Sequence, residues 1–576
     1  MRVADYVANF IYDLGIDTVF SGMGRGMLYL SDGIAQHGKL KLVVCHHEQA
    51  AAYAAVGYAK QNGHGACVVT SGCGSTNTMT GVLDAWQDSI PVLFISGQVP
   101  VDQTMRATGY PVRQLGVQEV DMVALVESIV KYSAMVMRPS AIAYHLEKAA
   151  YIARNGRPGP VWLEVPQDIQ QAEIDLDTLT HFQPEPENVT PESENIEYVR
   201  GLLEKAERPV LIAGGGVRLA GAVEALDRFL FNYVLPVVTP FMGVDLLAAD
   251  NPLYLGRIGY KGNHAANVAV ENADLVIAVG TRLSLPATSF LGEKFAPHAR
   301  LVVVDIDPVE HWKAGARIDR LIAADAGLFF HAVSNRLGFP PDDGWLAQCT
   351  EWKEKWPVGT EGVYGFLAAL SEALPNDATV ICDAGSTFYA VGRGYPVKKG
   401  QRVILSGAQT DMGFALPGAV GVCFARGKRQ TIAIQGDGSF QFNLQELQTV
   451  KHHNLPIVLF VWNNDGYLSI RASQNKSCEG RHIGTDDTCG ISFPDLQWIA
   501  FAYGIPYHRI TEGMDVERAI RNALAMTGPV IVEVMCERDQ DMCPKEKGDA
   551  TEIGSPTRLD AQVSPGDGRE VGEGDA

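Results

Sequence analysis

A chain of 576 residues is too long for one hydrophobic core, and at roughly 150 residues per domain it predicts three or four. With 46% hydrophobic and 20% charged residues, its composition is that of an ordinary globular protein, not a disordered one. A formal net charge of −20 removes the basic footprint that a nucleic-acid backbone or an anionic membrane demands, and no apolar run reaches the roughly eighteen residues of a membrane span.

The opening stretch reads as an amphipathic helix over residues 3–15, not as a signal peptide, so the cytoplasm is the expected compartment. Short β-branched runs follow at 42–45 (LVVC), 66–70 (ACVVT) and 91–96 (PVLFIS). A second series begins at 208–216 (RPVLIAGGG) and continues through 274–280 and 300–308; a third runs from 379–385 (TVICDAG) to 529–535 (PVIVEVM). Strand and helix alternate throughout, which predicts an α/β fold of parallel sheets covered on both faces. Polar, proline-bearing stretches at 181–195 and 338–345 read as linkers. Three doubly wound domains are therefore expected at 1–180, 190–338 and 346–545, with a mobile acidic tail at 546–576. Ten cysteines lie between Cys45 and Cys543 without a CxxC pair, which points to buried thiols and away from a zinc site or disulfide framework.

Residues 432–470, IAIQGDGSFQFNLQELQTVKHHNLPIVLFVWNNDGYLSI, read as strand, glycine turn, helix through His453, strand and turn. That order brings Asp437 and Asn464 to the carboxyl ends of neighbouring strands, the rim where doubly wound sheets bind ligands. One carboxylate and one amide oxygen suit a hard divalent ion that keeps its other positions for water and phosphate, so Mg2+ with a diphosphate fits better than zinc. Gly438 would let the backbone approach the phosphates, and a helix starting there would offer free N–H groups. GDG alone would as readily be a turn; its spacing to Asn463-Asn464 is what points to a metal.

In LVVCHHEQAAAYAAVGYAK (42–60), Glu48 is expected to start a helix directly after a buried strand, among largely apolar neighbours. Lost solvation there should raise its pKa and let it share a proton with a ring nitrogen. An isolated glutamate would equally serve only to favour a helix N-terminus. His46 and His47 read as packing or hydrogen-bonding residues.

HEQAAAYAAVGYA, TSGCGSTNTMTGVLDAWQDSIPVLFISGQVP (70–100) and the GDG…NN segment resemble the motifs of thiamine diphosphate enzymes, and resemblance to the acetolactate synthase group runs to about Pro544. It implies pyrimidine-binding, middle and diphosphate-binding domains in that order. It makes Glu48 the group that activates the aminopyrimidine ring, reaching across the interface of a homodimer or dimer of dimers. The Asp437 and Asn464 side chains and the Gly466 carbonyl become ligands of Mg2+, with Gly436, Gly438, Ser439, Tyr467 and Leu468 around the coenzyme. Met412, in AQTDMGFALPGAVGV (408–422), matches the bulky residue that bends the coenzyme, although a plain core methionine stays open. Gly385, Ser386 and Thr387 resemble a loop beside the diphosphate, or are a helix cap. Gln118, in RQLGVQEVDMV, matches a substrate-side glutamine.

In the middle domain AGGGVRLAG (213–221), VGTRLS (279–284) and VDIDP (304–308) resemble flavin-contacting segments, which would place Gly215, Arg282 and Asp305 at a structural FAD; nucleotide-free α/β domains carry such glycines too, so both readings stand. Val117 stands where acetolactate synthases usually have phenylalanine, and MCERDQDMCPKEKG lacks their tryptophan-containing and MPM-type pattern. VADYVANFIYDLGIDTVF, RQLGVQEV and the late CPK look more like synthase-like proteins of bacterial surface-sugar pathways. The implied function is a carboligase that decarboxylates pyruvate or a related 2-oxo acid and passes the two-carbon unit to a carbonyl acceptor, a 2-oxo acid or a nucleotide-linked keto sugar. The alternative is a simple decarboxylase; Ile470, where pyruvate decarboxylases place a glutamate, favours ligation. A catalytically silent scaffold would be expected to lose Glu48 or Asp437, and neither is lost.

Overall fold

The computed structural model describes residues 1–185, 189–313, 315–335 and 343–542; the expected tail at 546–576 and most of the 338–345 linker lie outside them. The first sheet contains β1 (Thr18–Gly22), β2 (Lys41–Val44), β3 (Gly65–Val69), β4 (Val92–Gln98), β5 (Ser133–Met135) and β6 (Val161–Pro166), ordered 2-1-3-4-6-5. The second contains β7 (Pro209–Ala213), β8 (Val237–Thr239), β9 (Tyr254–Arg257), β10 (Leu275–Val279), β11 (Arg300–Asp305) and β12 (Arg320–Ala323), ordered 12-11-10-7-8-9. The third contains β13 (Thr379–Cys382), β14 (Arg402–Leu405), β15 (Thr431–Gly436), β16 (Ile457–Asn463), β17 (Tyr507–Ile510) and β18 (Val530–Met535), ordered 14-13-15-16-18-17. Every neighbouring pair within the sheets is parallel, as the alternating pattern predicts.

The first and third sheets share one topology, each reversing direction between its first and third strands. Their ligand crevices therefore open at the ends of β1 and β3 and of β13 and β15. The middle sheet, numbered from its own first strand, has the dinucleotide-fold order 3-2-1-4-5-6 read from its β9 edge, and reverses between β7 and β10.

The first and third domains share one continuous apolar core, because the alanine-rich helix Glu48–Asn62 crosses the all-apolar helix Ala415–Ala425. Glycines let the two backbones touch: a methyl group on Gly421 would overlap the Ala54 carbonyl oxygen, and one on Gly57 the Gly418 carbonyl. The helix Asp343–Lys355, placed by sequence mainly at the head of the third domain, packs Trp345 and Cys349 into the middle domain, with the Trp345 indole donating to the Pro209 carbonyl at 3.1 Å. Among the described residues no helix is long and apolar enough to cross a membrane.

Candidate active site

In the third domain β13, β15 and β16 deliver their following turns to one rim. Asp437 is buried just past β15. Its Oδ1 accepts from Gly438 N–H at 2.7 Å, and its Oδ2 from Gly466 N–H at 2.9 Å and Asn464 N–H at 3.2 Å. Burial lifts the carboxyl to about 6, and the three N–H groups limit the rise. Oδ1, with a single partner, keeps a lone pair free. Asn464 is buried, and the Gly466 carbonyl accepts only one N–H, from Leu468 at 3.0 Å.

The Asn464–Gly466 turn is locked from beneath. The fully buried Arg471 guanidinium donates to the Asn464 carbonyl at 2.8 Å and the Asp465 carbonyl at 2.9 Å. Gly466 has φ +120°, and a side chain there would run into the Thr485 carbonyl, so only glycine fits.

Two expectations change here. The helix after GDG is a single turn, Asp437–Phe440, and regular helix resumes only at Leu447–His452; the Gly438 N–H at its start is taken up by Asp437 itself. Gly438 makes room for the Tyr467 ring, which a side chain would displace, whereas it is Gly436 that faces open space, with no atom within 4 Å of where a Cβ would stand. Leu468 is buried at the head of the helix Leu468–Ser477.

Asp383, just past β13, ties the remaining pieces together. The Ser439 hydroxyl donates to it at 2.5 Å and Gly413 N–H at 3.2 Å, while Gly413 N–H also donates to Ser439 Oγ at 2.8 Å. Burial pushes Asp383 to about 7 against these bonds. Half-buried Met412 is thereby fixed beside the GDG turn. Gly385, at φ +73°, caps the helix Ser386–Gly394 without a side-chain bond and lies beside Ser469, with Ser386 next to it on the rim. Thr387 is buried and donates to the Ala384 carbonyl at 2.8 Å, so its hydroxyl serves the turn and not a ligand.

The first domain carries a second cluster. Glu48 starts its helix as expected, but β2 is a partly exposed edge strand and Glu48 is half-buried. Its carboxylate accepts from Asn77 at 3.0 Å and lies against Gly22 and Gly74, at the crevice between β1 and β3. Gln118, at φ +60°, is exposed, its backbone resting on Gly72, two residues before the Gly74 that Glu48 lies against. Buried Glu119 shapes that loop by accepting from Met105 N–H at 2.7 Å and Leu115 N–H at 2.9 Å. His47 caps the Glu48 helix by accepting from Gln49 N–H at 3.1 Å, and the backbone N–H groups of both His46 and His47 donate to Glu446. Burial raises the Glu446 carboxyl.

Among the described residues no hydrogen bond joins Glu48 to Asp437 or Asn464, although the backbone N–H groups of His46 and His47, on the turn before Glu48, donate to Glu446 and Asn443 donates to Gln49 at 3.3 Å. The residues that support these clusters but were not singled out in the sequence are Asn77, Asp383, Glu446 and Arg471.

In the middle domain Gly215, Arg282 and Asp305 line one cavity of ≈ 1310 Å³, together with Phe241 and Tyr260, reaching the Gly407–Thr410 strip of the third domain. The turn after β7 is interlocked with Gly280 after β10, since a Cβ on Gly216 would stand 2.7 Å from the Gly280 Cα.

The donor set fits a metal that shares its shell with a ligand. Among the described residues no group of three or more His, Cys, Asp or Glu could hold an ion, whereas one carboxylate, one amide and one carbonyl meet at the rim beside the open space at Gly436.

Three family models match the chain: the N-terminal TPP binding domain of thiamine pyrophosphate enzymes over residues 1–125, the central domain over 196–333 and the C-terminal TPP binding domain over 383–534. The chain is 34% identical to the acetolactate synthase isozyme 2 large subunit of Escherichia coli (strain K12), covering 94% of this chain and 97% of that protein. It is 30% identical to the acetolactate synthase large subunit of Lactococcus lactis subsp. lactis (strain IL1403), over 93% of each, and 30% identical to the chloroplastic acetolactate synthase of Arabidopsis thaliana, over 98% and 85%.

Proposed function

The chain belongs to the acetolactate synthase-like thiamine pyrophosphate (thiamine diphosphate) enzymes, and from that premise we propose that it is a carboligase which decarboxylates pyruvate or a related 2-oxo acid and passes the two-carbon unit to a carbonyl acceptor. What carries the reading is the meeting of Asp437, Asn464, Gly466 and Met412 at one crevice while Glu48 stands at the matching crevice of the first domain.

Asp437, Asn464 and the Gly466 carbonyl would hold Mg2+, which in turn neutralises the diphosphate placed over Gly436 and Gly385. Thiamine diphosphate, when bound, supplies an electron sink beside its thiazolium C2 that accepts the electron pair released by loss of carbon dioxide. Met412 would press against the coenzyme and favour its bent form. Glu48, oriented by Asn77, would share a proton with the pyrimidine ring and so promote loss of the C2 proton. As the family resemblance implies, the working site is completed by a second copy, each Glu48 serving the coenzyme of its partner. Gln118, exposed on the loop that rests on Gly72, faces the substrate.

Ligation is favoured over simple decarboxylation by Ile470, exposed on the helix after the metal turn, which has no proton to deliver to a carbanion. The dinucleotide order of the middle sheet and its cavity support a bound FAD that touches Gly215, Arg282 and Asp305. Its role would be structural, since the reaction needs no net electron transfer. A flavin spectrum released on heating the purified protein supports this part, and a colourless supernatant opposes it.

Incubation with pyruvate, thiamine diphosphate and Mg2+, with and without a second 2-oxo acid or a nucleotide-linked keto sugar, tests the reaction. Acetolactate or a branched sugar is the expected product. Acetaldehyde alone under every condition would establish the decarboxylase instead.

A further inference from the structure

Lys60 stands in the last turn of the helix that Glu48 opens, about 18 Å away at 1.5 Å per residue. The Lys60 side chain is buried, and its ammonium donates to three acceptors: Asp88 at 2.7 Å, the Leu405 carbonyl at 2.7 Å and Asp84 at 3.4 Å. The two carboxylates sit four residues apart on the helix Met79–Gln87 and its C-cap, both buried, and both continue into the third domain. Asp88 accepts from Gly407 N–H at 2.9 Å and Ala408 N–H at 2.8 Å. Asp84 accepts from the Ser406 hydroxyl at 2.8 Å, and Ser406 Oγ in turn accepts from Asp411 N–H at 2.9 Å. Met412 is the next residue.

The Ser406–Met412 segment has no helix or strand of its own; its Gly407 and Ala408 N–H groups are held by Asp88 of the first domain, and its Asp411 N–H by Ser406, whose hydroxyl is in turn held by Asp84. Burial works to lower Lys60, but the Asp84 and Asp88 charges outweigh it and the net shift is upward. Burial raises Asp84 to about 7, opposed by Lys60. Without the ammonium, Asp84 and Asp88 would face each other and Asp411 as buried like charges, and the Leu405 carbonyl would lose its donor.

We propose that Lys60, acting through Asp84 and Asp88, is a positioning residue for Met412: the buried ion cluster of the first domain fixes the Ser406–Met412 segment and with it the coenzyme geometry that Met412 enforces. This rests on the reading of Met412 as the residue that bends the coenzyme.

The test compares wild type with Lys60→Met, Lys60→Arg, Ser406→Ala and Met412→Ala in the full chain. One readout is amide deuterium exchange over 406–412 in coenzyme-free protein. The other is exchange of the C2 proton of bound thiamine diphosphate in D2O, which requires the bent form but no substrate. In Lys60→Met and Ser406→Ala the segment should exchange faster by about tenfold. C2-proton exchange in both should slow by at least about tenfold while coenzyme affinity holds, because the metal grip is untouched. Lys60→Arg, which keeps the charge, should fall between them and wild type.

If Lys60→Met does not fold, Ser406→Ala decides alone. Unchanged C2-proton exchange in both, with Met412→Ala slowed, overturns the positioning role and leaves Met412 standing. Normal exchange in Met412→Ala removes the role of Met412 and this proposal with it.

Discussion

At the residue scale, burial governs the titrating groups on the rim. Asp383 is held near 7 in the folded chain, above its ordinary value of 3.8, so the folded state keeps a proton that the unfolded state has lost. Its contribution to stability is full below about pH 3.8 and is lost as pH rises through about 7, by at most ~1.4 kcal/mol per unit. In coenzyme-free protein, Asp383→Asn should therefore gain on wild type in melting temperature between pH 4 and 7 and show no further gain above that window. Parallel melting curves would refute the assignment. Asp437→Ala should weaken Mg2+ and thiamine diphosphate retention by at least about tenfold, read by titration calorimetry, since it removes the one charged ligand. Glu48, Asp437 and Asn464 stand out in the sequence because each sits in a segment whose pattern carries chemistry, and Met412 only by its resemblance to a family position. Asp383 and Arg471 do not, because a buried aspartate after a strand or an arginine within a helix has no local pattern. Their partners lie at Ser439 and at the Asn464 carbonyl, and only the fold reveals them.

At the scale of elements, the crossing of Glu48–Asn62 over Ala415–Ala425 joins the pyrimidine-side and diphosphate-side domains of one chain. Since the carbonyl of Ala54 occupies the space over Gly421, Gly421→Val should cost about 3 kcal/mol and lower the melting temperature. A wild-type melting curve would show that the helices separate at no expense. Hydrophobic periodicity located several of the strands within a residue or two, as in PVLFIS for β4 and LPIVLFVW for β16, and left others, such as β1 and β9, unmarked. It failed where tertiary contacts override it. β2 reads as a buried run but lies at a sheet edge, and the helix after GDG breaks because Asn443 turns its side chain onto the Gly413 carbonyl at 2.9 Å.

At the scale of the whole molecule, three doubly wound sheets were readable from alternation alone, but the boundary after the middle domain was not. Trp345 and Cys349 belong to the middle core although their helix follows the linker. Exposed apolar side chains such as Val117 at 79%, Phe501 at 77% and Trp498 at 70% suit a surface that a second copy covers. Complementation between two inactive variants tests the shared site most directly. Glu48→Gln and Asp437→Ala chains are mixed, dissociated and allowed to reassociate, and carbon dioxide release from pyruvate is measured with saturating coenzyme and Mg2+. Random pairing should restore about one quarter of wild-type activity, since half of the dimers are mixed and each of those holds one intact site in two. A mixture as inactive as its components would mean that Glu48 and Asp437 must come from the same chain, and would contradict the account.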